Sequence, residues 1–191
     1  MNKLLKYLYK KRAIYYANLV SPYIKKGERV LDVGAGTGFI SKILSKKARV
    51  TLLDIKDYNQ TDLPLRIYDG KKIPFKNKSF DTILLLTVLH YAPNTEKFLK
   101  EIKRVANKII IVDDVYETKF GKFIVNLNDS VVSNTVGIFT KFNFLKDKEF
   151  KTMFEKYGLK LVNSEKIRSF LRITQQKIYV LEVDTYRKIF K

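Results

Sequence analysis

Short apolar runs alternate along this chain with stretches in which apolar residues recur at helical spacing. The apolar runs cover residues 29–33, 49–53, 65–68, 80–86 and 108–112. Helical spacing covers residues 38–47 and again residues 94–106, where the repeated apolar positions are Phe98, Leu99, Ile102 and Val105. Buried strands separated by helices are typical of a parallel sheet that helices cover on both faces.

The last part of the chain departs from this alternation. A helical pattern over 149–157 ends at Gly158, a strand begins at 159–162, and a further apolar strand lies within 173–183. Two successive strands without an intervening helix predict an antiparallel pair. We therefore expect an α/β fold with a doubly wound, mostly parallel sheet whose last strand is antiparallel. No linker or internal repeat divides the sequence, so residues 1–191 are interpreted as a single domain.

A glycine-rich turn follows the first strand, in the sequence Val30-Leu31-Asp32-Val33-Gly34-Ala35-Gly36-Thr37-Gly38-Phe39. Glycines at such a turn let the backbone approach a ligand closely at the start of a helix. The spacing is G-x-G-x-G, and Phe39 stands where a dinucleotide-binding fold would have its third glycine. A phosphate-binding loop is excluded as well, because no Gly-Lys-Ser/Thr follows.

Acidic residues follow the next two strands. Asp54 ends the second strand, where a carboxylate can accept both hydroxyls of a ribose. Asp69 and Gly70 follow the third strand, where a carboxylate can accept from an adenine amine. Each has a structural alternative, since acidic residues often end strands and Asp-Gly is a common turn. Their order along the sheet favours a nucleoside site.

With these residues, the chain resembles the class I S-adenosylmethionine-dependent methyltransferases of the broad type-11 domain family. The resemblance covers residues 28 to about 115 and includes Ile73-Pro74-Phe75, Ser79-Phe80-Asp81 and Leu86-Thr87-Val88-Leu89-His90-Tyr91. It implies seven strands in the order 3-2-1-4-5-7-6. It also implies S-adenosylmethionine as cofactor, with the methionine end at Asp32, the glycine turn and Thr87, the ribose at Asp54 and the adenine at Asp69. The implied cofactor-binding residues are Asp32, Gly34, Ala35, Gly36, Thr37, Gly38, Asp54, Ile55, Asp69, Gly70 and Thr87.

Composition narrows the chemistry and raises a question about charge. The chain has no Cys and one His, so disulfides, thiolate chemistry and a histidine-rich metal centre are not expected. It has 38 basic and 19 acidic side chains, a net charge of +19. This excess indicates either a polyanionic partner such as RNA or a lysine-rich composition without a functional meaning. We find no targeting or membrane-spanning segment and expect a cytoplasmic protein.

The candidate catalytic groups follow the fourth and fifth strands. His90 is the best candidate for a general base, because its reference pKa lies near neutrality, although its ring could instead only line the pocket. Asp113 and Asp114 are candidates for a base or for an anchor of a cationic acceptor, with helix capping or a solvated loop as the alternative.

Two segments are expected to cover the site. Residues 1–25 form a basic amphipathic helix that could cover the cofactor or contact RNA or anionic lipid. Residues 117–146, with Phe120, Phe123, Phe139 and Phe142, are interpreted as an aromatic wall for the acceptor.

The predicted activity is methyl transfer to a small organic molecule. RNA methylation is the alternative, and a non-catalytic binding module with the cofactor fold is a third. Residues 113–140, which are expected to border the acceptor site, are locally acidic, and this disfavours binding of an RNA phosphate backbone there.

Overall fold

The computed structural model describes residues 2–136, 142–170 and 173–183. The described residues form a seven-stranded sheet with the order β3-β2-β1-β4-β5-β7-β6. The strands are β1 (Arg29–Val33), β2 (Arg49–Asp54), β3 (Leu65–Ile67), β4 (Phe80–Leu86), β5 (Ala106–Val115), β6 (Leu159–Arg168) and β7 (Gln175–Val183). Strands β1 to β5 pair in parallel, and β7 pairs antiparallel with both β5 and β6. The predicted strand order and the antiparallel end are confirmed.

Helices cover both faces of this sheet. They are α1 (Lys3–Val20), α2 (Phe39–Leu44), α3 (Thr95–Val105), α4 (Lys119–Val136) and α5 (Asp147–Lys156). One apolar core joins α1 and α2 to the face that carries Ile110 and Val112 of β5. The other joins α3 and α5 to the face that carries Ile109 and Ile111. The alternation of β5 side chains between two cores is what a strand covered on both faces requires.

The local signals of the sequence account for several helix boundaries. Asn94 caps α3, since its side chain accepts a hydrogen bond of 2.9 Å from the backbone N–H of Lys97. Gly158 has a φ of +64° just after α5, the left-handed conformation that glycine adopts most readily at a helix end.

Two strands are longer than their apolar runs predict. Strand β5 continues to Val115, so Asp113 and Asp114 lie within the strand and not after it. Strand β6 extends through polar residues to Arg168, because an edge strand needs only one apolar face and pairs along its length with β7. The segment 117–146 contains α4, which the sequence pattern did not predict, and Phe139 lies outside the described residues.

Helix α1 is divided into two parts by burial. Ala13, Tyr16, Ala17 and Val20 are buried against the sheet, whereas most of the helix before Arg12 is exposed. The apolar face therefore packs over only the second half of the helix. No helix in the described ranges has the length and apolarity needed to cross a bilayer.

Candidate active site

The turn after β1 meets the turn after β4 at the centre of the carboxyl edge of the sheet. The backbone N–H of Gly34 donates to the carbonyl of Leu53 over 2.8 Å, which holds the turn against β2. Gly34 has a φ of +72°, and a Cβ atom placed on it would lie 2.5 Å from Val88 Cγ2. Only glycine permits this conformation and this approach. Strand order reverses between β1 and β4, and ligands of open α/β sheets bind at such a point.

Gly36 faces an open space at the same turn. Its φ is +52°, and a Cβ atom placed on it would have no heavy atom within 4 Å. Its backbone N–H donates to Asp54 Oδ2 over 2.8 Å. The turn is thus fixed by a carboxylate on one side and leaves room for a ligand on the other.

Asp54 and Asp32 are both buried below this turn. The Asp54 carboxylate also accepts from the N–H of Ile55 over 2.7 Å, and Asp32 accepts from the Ser41 hydroxyl over 2.6 Å. Burial raises the pKa of Asp54, although the backbone N–H groups of Gly36 and Ile55 oppose the shift. Burial raises the pKa of Asp32 to about 6. The glycine turn therefore lies above Asp32 and Asp54, and burial makes ionisation of both side chains costly unless a cation is nearby.

The remaining predicted cofactor-binding residues lie along the same edge. A Cβ atom on Gly70 would contact Ile55, so the turns after β2 and β3 adjoin. Asp69 is exposed and accepts from the backbone N–H groups of Lys71 and Lys72 over 2.9 and 3.1 Å. The carbonyl of Thr37 accepts from the N–H of Gln60 over 3.0 Å. Ala35 and Gly38 belong to the glycine turn, where the N–H of Gly38 donates to the Ala35 carbonyl.

Thr87, directly after β4, has a strained backbone. Its φ of +59° is unusual for a β-branched residue, and its N–H donates to the carbonyl of Val112 over 2.7 Å. Conformations of this kind concentrate at functional sites, because the surrounding structure must enforce them. The Thr87 hydroxyl accepts a hydrogen bond of 2.8 Å from Arg12 Nη2 of α1. The N-terminal helix thereby brings a guanidinium to the carboxyl edge.

A buried hydrogen-bond chain holds Arg12 in this position. Its guanidinium lies over the Tyr16 ring, 4.9 Å from the centroid. The Tyr16 hydroxyl donates to Gln176 Oε1 over 2.7 Å, and Gln176 Nε2 donates to Asp114 Oδ2 over 3.1 Å. Asp114 also accepts from the Thr174 hydroxyl. Burial raises the pKa of Asp114, and the neighbouring Asp113 adds to the shift.

Asp113 and Asp114 point to opposite faces of the sheet. Asp113 lies on the face of Ile109 and Ile111, and Asp114 on the face of Ile110 and Val112. The sequence pattern predicts the two acids as equivalent candidates beyond the strand. The structure separates them, with Asp113 beside His90 and Asp114 in the chain that supports α1.

His90 and Asp113 form a buried pair. His90 Nδ1 lies 2.5 Å from Asp113 Oδ1, and the backbone N–H of His90 donates to Asp113 Oδ2 over 3.2 Å. A carboxylate at Nδ1 favours the tautomer with the proton on Nδ1 and the lone pair on Nε2. The ring is 1% exposed and stacks on Phe144, with centroids 4.6 Å apart. In this arrangement His90 can act as a general base, or its ring can only line the pocket.

Aromatic side chains surround this pair. Tyr91 lies 4.2 Å from the His90 ring, and Phe142 lies 5.9 Å from Tyr91 and 5.8 Å from Phe144 between centroids. The N–H of Asn143 donates to the carbonyl of His90 over 2.9 Å, which fastens this segment to the turn after β4. Tyr91, Phe142 and Phe144 therefore form an aromatic wall beside the turn after β4. The prediction that Phe120 and Phe123 belong to this wall is wrong, because both are exposed on α4.

Sequence reasoning missed Arg12, Tyr16 and Gln176. Arg12 was seen only as one basic residue among several in the N-terminal helix. The spacing of Arg12 and Tyr16, one helical turn apart, was a signal that both face the same side. Nothing local to Gln176 indicated that it would bond to residues so distant in the chain. In the described part of the chain, no group of three or more His, Asp or Glu side chains is arranged to hold a metal ion.

Comparisons with known proteins show which family the chain belongs to. Residues 31–109 match the methyltransferase domain family. An uncharacterised protein of Methanocaldococcus jannaschii is 31% identical over 147 residues, which are 74% of this chain and 69% of that protein. The structure is similar to that of an S-adenosylmethionine-dependent methyltransferase from Methanosarcina mazei, with a TM-score of 0.67, 17% identity and coverage of 87% of this chain and 97% of that one.

Two bacterial enzymes each match just under half of the chain. The ubiquinone/menaquinone biosynthesis C-methyltransferase of Bordetella avium is 29% identical over 47% of this chain and 42% of its own length. The tRNA U34 carboxymethyltransferase of Nautilia profundicola is 30% identical over 47% of this chain and 35% of its own length. The chain thus spans less than half of either enzyme.

The fold and the glycine turn, taken with these matches, define a methyltransferase. The chain belongs to the class I S-adenosylmethionine-dependent methyltransferase family, and S-adenosylmethionine is the cofactor which that membership implies.

Replacement of Asp32 by Asn should change how stability depends on pH. The pKa of Asp32 is about 6 in the folded protein and 3.8 as its ordinary value, so its contribution to stability is complete below pH 3.8 and is lost as the pH rises through 6. Asn keeps an oxygen for Ser41 and does not ionise. The variant's free energy of unfolding, relative to the parent, should therefore rise between pH 4 and 7.5 by about 2.4 kcal/mol.

Denaturant unfolding of both proteins without cofactor measures this difference. Glu182→Gln, at an exposed position on β7, is the control and should run parallel to the parent. A difference between Asp32→Asn and the parent that does not vary with pH would show that Asp32 is not the titrating group.

Proposed function

We propose that S-adenosylmethionine binds along the carboxyl edge of β1, β2 and β3. Its methionine end lies between the glycine turn and Arg12, its ribose at Asp54 and its adenine beside Asp69, Ile55 and Gly70. The amino acid end of the cofactor carries an ammonium and a carboxylate. Asp32 provides the negative charge for the first, and Arg12 provides the positive charge for the second.

The open space beside Gly36 carries this proposal. It adjoins the Asp54 carboxylate through the Gly36 N–H, and Arg12 approaches the same edge through Thr87. No ion pair joins Arg12 to a carboxylate within the described ranges, so a bound carboxylate would be its first such partner there. A guanidinium without a carboxylate partner beside an open turn suits an anionic ligand group.

The acceptor in this proposal is a small organic molecule held by the aromatic wall. When bound, S-adenosylmethionine supplies a methyl group on a positively charged sulfur. The rings of Tyr91, Phe142 and Phe144 exclude water and orient the acceptor, which is the main requirement of an in-line displacement. Asp113 fixes the tautomer of His90, and His90 takes a proton from the acceptor where the acceptor must lose one.

RNA is the second candidate acceptor. The net charge of +19 and the likeness to a tRNA-modifying enzyme favour it. Asp113 and Asp114 lie within β5 and are buried, so only the exposed Glu117 just after the strand disfavours an RNA phosphate beside the aromatic wall. The likeness to a quinone-biosynthesis enzyme favours a small acceptor.

Two ligands distinguish the proposed roles of Arg12 and Asp54. S-adenosylhomocysteine contains the adenine, the ribose and the amino acid end, whereas methylthioadenosine contains the adenine and the ribose but lacks the amino acid end. Arg12→Gln should weaken S-adenosylhomocysteine binding by about 10- to 100-fold and leave methylthioadenosine binding unchanged, because a charged hydrogen bond is lost only with the first. Asp54→Ala should weaken both. Isothermal titration calorimetry measures all four affinities.

Lys11→Gln is the matched control, since it removes a neighbouring exposed charge from the same helix. If Arg12→Gln weakened both ligands equally, Arg12 would act through the fold and not on the carboxylate. Unchanged affinities in Asp54→Ala would refute the proposed ribose site.

Methyl transfer from labelled S-adenosylmethionine identifies the acceptor class. The protein is incubated with a cell extract, and the label is then fractionated into RNA, protein, lipid and small molecules. We expect the label in the small-molecule or lipid fraction, because the wall is aromatic. Label in RNA would refute the proposed acceptor class and give the positive charge a function.

The role of His90 is tested on the acceptor fraction that takes up the label. His90→Gln should lower the rate by about 10²- to 10⁴-fold while cofactor affinity stays unchanged. Asp113→Asn, which alters the group that fixes the tautomer, should also lower the rate. If His90→Gln kept the parent's rate, His90 would only line the pocket.

A further inference from the structure

Two helices leave large apolar side chains exposed at the carboxyl edge. On α1 these are Leu4, Tyr7 and Leu8, which are 69%, 56% and 42% exposed. On α4 they are Phe120, Phe123 and Leu127, which are 73%, 60% and 53% exposed. The spacing in each helix places the three side chains on one face. We call these six residues the outer apolar surface.

Both helices that carry this surface adjoin the candidate active site. Helix α1 reaches the carboxyl edge, where Arg12 bonds to Thr87 and Lys10 Nζ lies 5.8 Å from the centroid of the Phe39 ring. Helix α4 begins just after β5 and packs through Val125 on Tyr116 and Phe144, next to the aromatic wall. A partner that covers the outer apolar surface would therefore cover the approach to the site.

Uncompensated positive charge surrounds the outer apolar surface. Residues 1–27 include no Asp or Glu, and α1 carries Lys3, Lys6, Lys10 and Lys11. Lys119 and Lys122 flank Phe120 on α4. Among the described residues, none of these lysines forms an ion pair. An RNA would pair with the lysines but would leave the apolar side chains in water.

We propose that the outer apolar surface docks on an anionic lipid bilayer. Helices with lysines beside exposed apolar residues bind in the plane of the headgroups, where the side chains enter the acyl boundary and the lysines meet the phosphates. Both α1 and α4 carry exposed apolar residues with lysines beside them, and the positive charge of the lysines is complementary to the negative charge of the bilayer. Docking would let a lipid-soluble acceptor enter the active site from the bilayer, and this part of the inference rests on the proposed function. Docking itself requires no methyl transfer.

Co-sedimentation of the full chain with vesicles tests the proposal. The parent should bind vesicles of phosphatidylglycerol and phosphatidylcholine and bind phosphatidylcholine alone much more weakly. The double variant L4S/L8S keeps every lysine and should bind the mixed vesicles at least about tenfold more weakly, because two apolar side chains no longer enter the lipid. K3Q/K6Q keeps the apolar residues and should also bind more weakly, with a smaller dependence on salt.

Val162→Ser is the control, because it removes an apolar side chain that is 54% exposed on β6, away from the outer apolar surface. All variants should retain the parent's thermal midpoint and its affinity for S-adenosylhomocysteine. Failure of the parent to bind mixed vesicles would overturn the proposal. Binding by L4S/L8S at the parent's level would overturn it as well, as the attraction would then be only electrostatic.

If RNA or a second copy of the chain bound to the outer apolar surface, the parent and the L4S/L8S variant would give different results. Displacement from the vesicles by RNA, with RNA affinity unchanged in L4S/L8S, would assign the lysines to RNA and overturn the proposal. A parent dimer in analytical ultracentrifugation that L4S/L8S dissociates would assign the surface to a second copy. Vesicle binding by a protein without methyl transfer to small molecules would support docking while refuting the proposed function.

Discussion

The burial of four carboxylates at one edge of a parallel sheet constrains the rest of this structure. Asp32, Asp54, Asp113 and Asp114 are each at most 7% exposed. A buried carboxylate is costly unless donors surround it, so each one recruits a partner from elsewhere in the chain. The partners are the Ser41 hydroxyl, the backbone of the glycine turn, His90, and Gln176 with Thr174. The turns after β1, β2 and β4 and the last strand are thereby held in one arrangement before any ligand binds.

The parts of the fold that the sequence predicted are those in which the signal is local. The apolar runs of β1, β2 and β4 and the turn from Gly34 to Gly38 each carry their own pattern, since burial on both faces and positive φ angles leave few residue types possible. The end of β5 was misjudged for a related reason. Charged residues usually mark the end of a buried strand, but Asp113 and Asp114 continue it, because each faces polar partners that come from other elements.

The rest of the candidate site depends on contacts between distant parts of the chain. Arg12 acquires a role only because α1 crosses the sheet and meets Thr87, and that crossing depends on Tyr16 and Gln176. No periodicity within α1 distinguishes its inner apolar face from its outer one, since both carry apolar residues. Packing against Ile110 and Val112 decides which side is buried, and this leaves Leu4 and Leu8 in contact with water.

The bond between Tyr16 and Gln176 also sets an order of assembly during synthesis. These residues are 160 positions apart, with one near the start of the described chain and the other in its last described strand. Domains gain long-range contacts only after both partners have left the ribosome. Helix α1 emerges first, yet it acquires its support only when β7 inserts between β5 and β6. The hydrogen bonds that hold Arg12 in position can therefore form only after the last described strand has been synthesised. The carboxyl edge is complete only when almost all of the described chain is present.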